Sequence, residues 1–320
     1  MKHLSLFPGA PATTILGYGT TSLMGLAATS DRLAVLECAF ESGIRHFDTA
    51  PYYGYGEAER VLGDFIHGRR DRVTITTKYG IQAPKMIKAR WVNLTARRIL
   101  RLLPFLRKGL SRKAQALTKK CAFTAAEARQ SLERSLVALK TDHVDLFLLH
   151  EPTYADAASD ELHQFLEEEV RHGKIRAFGC GGDFGVIESV AKAKLPTSRW
   201  LQFEDNALRG RIEGIRATGA QCITFGLFKP ALATLTQWLG SVPGRYDEWE
   251  RQLGTDCRSE AALAALVQAS SHAQNPDGIV LFSTRRADRI ASAVKAASGK
   301  QFSQEQLSKF NELARDVRLA

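Results

Sequence analysis

The chain has 320 residues, 44% hydrophobic and 24% charged, ordinary values for a globular protein with a sizeable core. The N-terminus lacks an apolar run of signal-peptide length, and no stretch reaches the roughly 18 uncharged apolar residues of a membrane span. Five scattered cysteines without a CxxC argue against a disulfide framework or zinc site and fit a cytoplasmic protein, while the net charge of +10 is local: residues 80–120 hold twelve Lys or Arg and no acid, leaving 32 basic residues against 34 acidic ones elsewhere.

In chain order, a strand candidate at 14–16 is followed by a helical pattern at 31–42, a strand at 45–47, a helix at 57–67 and a strand at 73–78. A connection of more than forty residues then leads to a helix at 125–139 and a strand at 143–150. Beyond it come helix 161–172, strand 175–179, helix 185–193, strands 200–204 and 221–225, helix 260–273, strand 278–283 and helix 288–297. Eight strands interleaved with helices read as a parallel sheet, and about 40 residues per unit is the spacing of a (β/α)8 TIM barrel with insertions. A doubly wound open sheet is the alternative. No linker or repeat divides the chain, so residues 1–320 are expected to form a single domain with a basic insertion at 80–122 after the third strand.

Three successive strands end in ionisable side chains. The run Gly43-Ile-Arg-His-Phe-Asp48 closes on an acid, with Tyr53 five residues later in a Gly/Pro-containing turn. Val73-Thr-Ile-Thr-Thr-Lys78 closes on a lysine, and Asp145-Leu-Phe-Leu-Leu-His150 on a histidine. Singly, these are a helix-capping Asp, a surface Lys and a satisfied core His. In a barrel, however, the carboxyl ends of the strands form one face, so the three groups converge there.

These segments resemble the aldo-keto reductase superfamily: Phe47-Asp48-Thr49-Ala50 with Tyr53-Gly54, then Thr77-Lys78, then Leu148-Leu149-His150, together with Gly17-Tyr-Gly-Thr20 and Gly173-Lys-Ile-Arg-Ala-Phe-Gly179. The resemblance spans nearly the whole chain and implies a nicotinamide-dependent oxidoreductase acting on an aldehyde, ketone or sugar carbonyl, or on the corresponding alcohol. It makes Asp48, Tyr53, Lys78 and His150 the catalytic quartet. A phenol with its ordinary value near 10 is a poor acid at neutral pH, and a neighbouring ammonium favours its ionised form. Tyr53 is then the general acid in reduction, with Tyr52 and Tyr55 as close competitors. Lys78 tunes it, Asp48 holds Lys78, and His150 orients the substrate oxygen.

The resemblance also implies a cofactor site built from Gly19, Thr20, Thr21, Asp48, Gly181, Gly182, Gln202, Phe225, Gly226, Ser283, Thr284, Arg285 and Arg289, with no metal. Hydroxyls and guanidinium groups in Phe282-Ser-Thr-Arg-Arg-Ala-Asp-Arg289 suit an adenosine phosphate and favour NADP(H) over NAD(H); surface arginines before a helix are the alternative. Two features depart from the pattern. The turn after the fifth strand reads Cys180-Gly-Gly-Asp183 where the family offers Ser-Asn to the nicotinamide carboxamide, leaving backbone groups or Asp183 for that contact. Ala293 stands where an asparagine often reads adenine. Phe225 is placed to stack on the nicotinamide, with core packing as the alternative.

The run Gly179-Cys-Gly-Gly-Asp-Phe-Gly185 approaches a dinucleotide-binding loop, but Phe184 replaces its third glycine. GxSxG, HExxH and P-loop motifs are missing, and a Schiff-base role for Lys78 conflicts with Asp48 and Tyr53 beside it. Residues 91–108 mix apolar residues with arginines and suggest a basic amphipathic helix broken at Pro104. It reads as a lid packed on the barrel, a lid over an anionic substrate, or a surface for a membrane or acidic partner. No nucleic-acid module accompanies the charge. The alternative to an enzyme is a cofactor-binding regulatory barrel with little turnover, a reading to which the altered 180–183 stretch gives weight.

Overall fold

The structure, a computed structural model, describes residues 1–7, 9–81, 121–299 and 301–319. Two short strands, β1 (His3–Leu4) and β2 (Thr13–Thr14), pair antiparallel ahead of the main sheet. The sheet is a closed barrel of eight parallel strands: β3 (Leu16–Gly19), β4 (His46–Asp48), β5 (Thr74–Tyr79), β6 (Val144–His150), β7 (Ile175–Gly182), β8 (Trp200–Glu204), β9 (Gln221–Phe225) and β10 (Ile279–Phe282), with β10 pairing back onto β3. Around it, in chain order, run α1 (Thr29–Glu41), α2 (Glu57–Ile66), α3 (Ala125–Leu139), α4 (Tyr154–Ala157), α5 (Asp160–Arg171), α6 (Phe184–Ala193), α7 (Ile212–Arg216), α8 (Lys229–Gly240), α9 (Arg245–Leu253), α10 (Glu260–Gln274), α11 (Ala287–Ala297) and α12 (Gln304–Leu319). This is the (β/α)8 TIM barrel expected from the strand–helix alternation, and it excludes the open sheet.

Strands such as β6 are covered on both faces, which is why they show apolar runs without polar alternation. One face packs on the helices: Phe47, wholly buried, lies between the rings of Tyr18 and Phe65, with centroids 6.3 and 5.3 Å away. Burying that side chain is worth about 2–3 kcal/mol, and it anchors the strand that ends in Asp48. The other face lines the barrel, where Leu146, Leu148, Trp200, Ile223, Ile279 and Leu281 form a separate cluster capped by Leu6 and Phe7.

Several boundaries differ from the sequence reading. The first barrel strand is Leu16–Gly19, not 14–16, and the residues before it belong to the N-terminal hairpin. The cause is Gly17: a Cβ there would stand 2.6 Å from the Leu281 side chain, so the barrel admits only glycine and the strand carries little apolar signal. β7 continues three residues past 179, so Cys180, Gly181 and Gly182 are strand, not turn. Helices α4, α7, α8, α9 and α12 were not anticipated. In α9 the buried residues are Trp249 and Leu253 alone, too few to mark a periodic face.

The basic insertion falls outside the described residues except at its ends, and so does its 91–108 stretch. Those ends meet: the Cys121 amide donates to the Gly80 carbonyl at 2.8 Å, and the Tyr79 hydroxyl donates to the Ala122 carbonyl.

Candidate active site

The four expected chemical groups arrive at one end of the barrel because their strands are parallel and in register. Asp48 closes β4, His150 closes β6, and Lys78 is next to last in β5. Tyr53 opens a tight turn, Tyr53–Gly56, in which Gly54 takes φ +60° and lies against Met24; a side chain at Gly54 would run into Met24. That glycine lets the chain turn Tyr53 back toward Lys78.

Lys78 is 1% exposed and Asp48 3%. An ammonium this deeply buried must have its three N–H groups satisfied, and three oxygens surround it. Nζ lies 2.6 Å from Asp48 Oδ1, 2.9 Å from the Thr49 carbonyl and 3.4 Å from Tyr53 Oη. Burial pulls the lysine down, but the Asp48 charge and then Tyr53 outweigh it, so the net direction is up and the ammonium is kept. Neither competitor takes Tyr53's place: among the described residues Lys78 donates to no other tyrosine, and Tyr55 points outward, 41% exposed. The His150 ring stands edge-on to the Tyr53 ring, with centroids 6.2 Å apart, so a small group between them meets a phenol and an imidazole together.

Two neighbours extend the sequence reading, which placed Gln202 in the cofactor site alone and did not include His46. Gln202, buried in β8, donates Nε2 to Asp48 Oδ2 at 2.7 Å, occupying the carboxylate oxygen that Lys78 leaves. His46 lies two residues before Asp48 and therefore on the same face of β4. Nδ1 lies 2.9 Å from Thr74 Oγ1 and Nε2 3.2 Å from Thr76 Oγ1; burial, then the Lys78 charge, pushes the ring down to about 3, so it is neutral. Period-two alternation could have found His46. The Gln202 contact joins positions 154 residues apart, and no local signal marks it.

The expected cofactor residues form an arc on the same end. Ser283 Oγ donates to the Gly19 carbonyl at 2.6 Å and accepts from the Ser22 amide at 3.2 Å, lacing the loop after β10 to the turn after β3. Thr20 Oγ1 donates to Thr49 Oγ1 at 3.0 Å, Thr21 is exposed beside it, and the Thr284 carbonyl accepts from the Tyr18 hydroxyl. Arg285 lies against Gly25, and Arg289 is exposed in the first turn of α11. Arg286 is paired with Asp288, but among the described residues no ion pair involves Arg285 or Arg289. Two unengaged guanidinium groups with hydroxyls at a helix start suit a phosphate ester. Phe225 ends β9 at 38% exposure, so it is not core packing; Gly226 follows it.

On the opposite wall Gly181 pairs with His150 and Gln202, and Gly182 with Phe203. Asp183, one alternative for the carboxamide contact, caps α6: its Oδ1 accepts from the Gly185 amide at 2.9 Å. Ala293 is buried, and its carbonyl accepts from Gln268 at 2.6 Å, so the adenine position of the resemblance is here a packing position. The residues present therefore fit a phosphorylated dinucleotide at the arginine end and depart from the usual clamp at the other.

Comparison with known proteins bears on the family and the fold. The model of the Aldo/keto reductase family matches residues 15–315. A D-threo-aldose 1-dehydrogenase of Pseudomonas sp. is 33% identical over 182 residues, 53% of this chain and 50% of that protein. A pyridoxal 4-dehydrogenase of Microbacterium luteolum is 49% identical over 70 residues, 21% of this chain and 20% of that protein. The chain thus aligns with half or less of the length of these relatives. An aldo-keto reductase of Bacillus halodurans in its holo form superposes with a TM-score of 0.71 at 21% identity, covering 98% of this chain and 97% of that one.

Proposed function

This chain belongs to the aldo/keto reductase family, and from that premise we propose that it reduces an aldehyde, ketone or sugar carbonyl with NADP(H), or runs the reverse oxidation. The observation that carries the reading is the buried Lys78 ammonium between Asp48 Oδ1 and Tyr53 Oη. Bound NADPH would supply the hydride. The chain supplies the rest: Tyr53 gives its hydroxyl proton to the carbonyl oxygen, and Lys78 stabilises the phenolate left behind. Asp48 keeps Lys78 charged and in place, and His150 orients the carbonyl and meets the charge that develops on its oxygen. Oxidation reverses the proton path.

Arg285, Arg289, Ser283 and Thr284 would hold the adenosine phosphate, and its extra charge favours NADP(H) over NAD(H). Thr20, Thr21, Gly181, Gln202 and Phe225 would surround the nicotinamide. The aldose and pyridoxal in the relatives' names suggest a small hydroxylated aldehyde or its lactol as substrate. We read residues 1–320 as one cytoplasmic barrel domain interrupted at 80–122; among the described residues no helix is long and apolar enough to cross a membrane. The Gly181-Gly182 stretch favours a second reading, a cofactor-binding regulatory barrel. Fluorescence titration with NADPH and NADH, then a screen of aldehydes, ketones and lactols, separates the two. NADPH binding with turnover supports the enzyme, tight binding without turnover the regulator, and binding of neither nucleotide contradicts both.

A further inference from the structure

Asp48 has two carboxylate oxygens, and the proton transfer proposed above accounts for only one. Oδ1 holds Lys78; Oδ2 is held by Gln202. In the closed strand order β8 lies four places from β4 in either direction, so Gln202 reaches Asp48 from the opposite wall of the barrel. Among the described residues the groups bonded to the Lys78 ammonium come from one side: Asp48 from β4, with Thr49 and Tyr53 from the segment after it, against Lys78 on the adjacent β5. A carboxylate only 3% exposed and held through one oxygen is free to rotate about its last bond and carry the ammonium with it. A second, charge-assisted bond from across the barrel removes that freedom.

We propose that Gln202 is a positioning residue for proton transfer: its Nε2–H locks Asp48 so that Lys78 stays directed at Tyr53 Oη. This rests on the reductase reading and deepens it. The side chain also borders the cofactor arc, because its Oε1 lies 3.3 Å from where a Cβ on Gly181 would stand. Gln202 thus touches both the nicotinamide end of the pocket and the acid–base relay. A residue that merely holds the cofactor and one that positions Asp48 make different predictions.

The test is a double-mutant cycle. Gln202→Met keeps the volume and removes the N–H; Asp48→Ala removes the acceptor, with Asp48→Leu, close in shape and likewise without an acceptor, as the second variant if alanine does not fold. Steady-state kcat and KM, the Kd for NADPH by fluorescence, and urea unfolding midpoints of the cofactor-free proteins are measured for all corners. The proposal expects Gln202→Met to lower kcat about tenfold to a hundredfold with Asp48 present, and by less than about threefold with Asp48 removed. It also expects non-additive unfolding midpoints. A Gln202→Met protein that keeps kcat and loses only NADPH affinity overturns it, as does the same loss of kcat in both backgrounds. Wild-type protein without turnover on any carbonyl defeats the reductase reading itself. That failure is recognisable because the unfolding cycle, which needs neither cofactor nor substrate, still reports whether the Gln202–Asp48 bond forms.

Discussion

His46 makes this protein acid-labile by an amount that can be worked out in advance. The ring is fully enclosed in the barrel, bonded to two threonine hydroxyls, and pushed by burial and then by Lys78 from the ordinary 6.5 down to about 3. The folded protein therefore takes up this proton less readily than the unfolded chain. Its contribution to stability is whole above about pH 6.5 and is lost progressively as the pH falls toward 3. Each pH unit in that window costs about 1.4 kcal/mol, so acidification from pH 8 to pH 5 removes about 2 kcal/mol through His46 alone. For a protein of ordinary stability, about 5–15 kcal/mol, that is a large fraction. Buried His272, held down at about 4 by desolvation, acts in the same direction. His46→Gln retains a donor and an acceptor for Thr74 and Thr76 but cannot take up the proton. Urea unfolding followed by tryptophan fluorescence at pH 8, 7, 6 and 5 should show the wild type losing about 2 kcal/mol more than His46→Gln. Parallel pH dependences in the two proteins would refute the reasoning.

Three further outcomes follow from the site. Arg285→Ala and Arg289→Ala should each weaken NADPH about tenfold while changing NADH little; fluorescence titration with both nucleotides checks this, and equal losses would place the arginines elsewhere than at the extra phosphate. Lys78→Met leaves the Asp48 carboxylate buried without its cation, and urea unfolding should show a loss of roughly 3–5 kcal/mol. Because the lysine is raised above its ordinary 10.5, its stabilising charge is fully present below that value and lost only as the pH rises past it, so lysine deprotonation takes no part in the deficit between pH 6 and pH 9. Gly54→Ala forces a side chain into a φ of +60° against Met24, and should lower kcat more than it raises KM by shifting Tyr53; a variant with wild-type kinetics would show that the turn tolerates the change.

The barrel and the converging strand ends were legible because fully covered strands are apolar runs, and a charged residue closing such a run is conspicuous. His150 is legible in this way, whereas Asp48 and Lys78 follow strands that carry His46 and three threonines and stand out by their place at consecutive strand ends. The first barrel strand did not stand out, because the crowded interior demands glycine at 17 and glycine carries no apolar signal. The same limit hid the end of β7, where Gly181 and Gly182 read as a turn yet pair with β6 and β8. Polar helices such as α9, which bury two side chains, lie below what periodicity detects. Gln202 was assigned from the family resemblance to the cofactor alone. Its bond to Asp48 depends on barrel closure, which brings opposite walls within reach of one side chain.

The central claim is that Tyr53 donates the proton. Single-turnover reduction of a carbonyl substrate by NADPH, followed at 340 nm for wild type and Tyr53→Phe with nucleotide affinity measured in parallel, tests it most directly. The account predicts a loss of about a hundredfold to ten-thousandfold in the reduction rate with NADPH affinity unchanged. Hydride transfer at a comparable rate in Tyr53→Phe would contradict it.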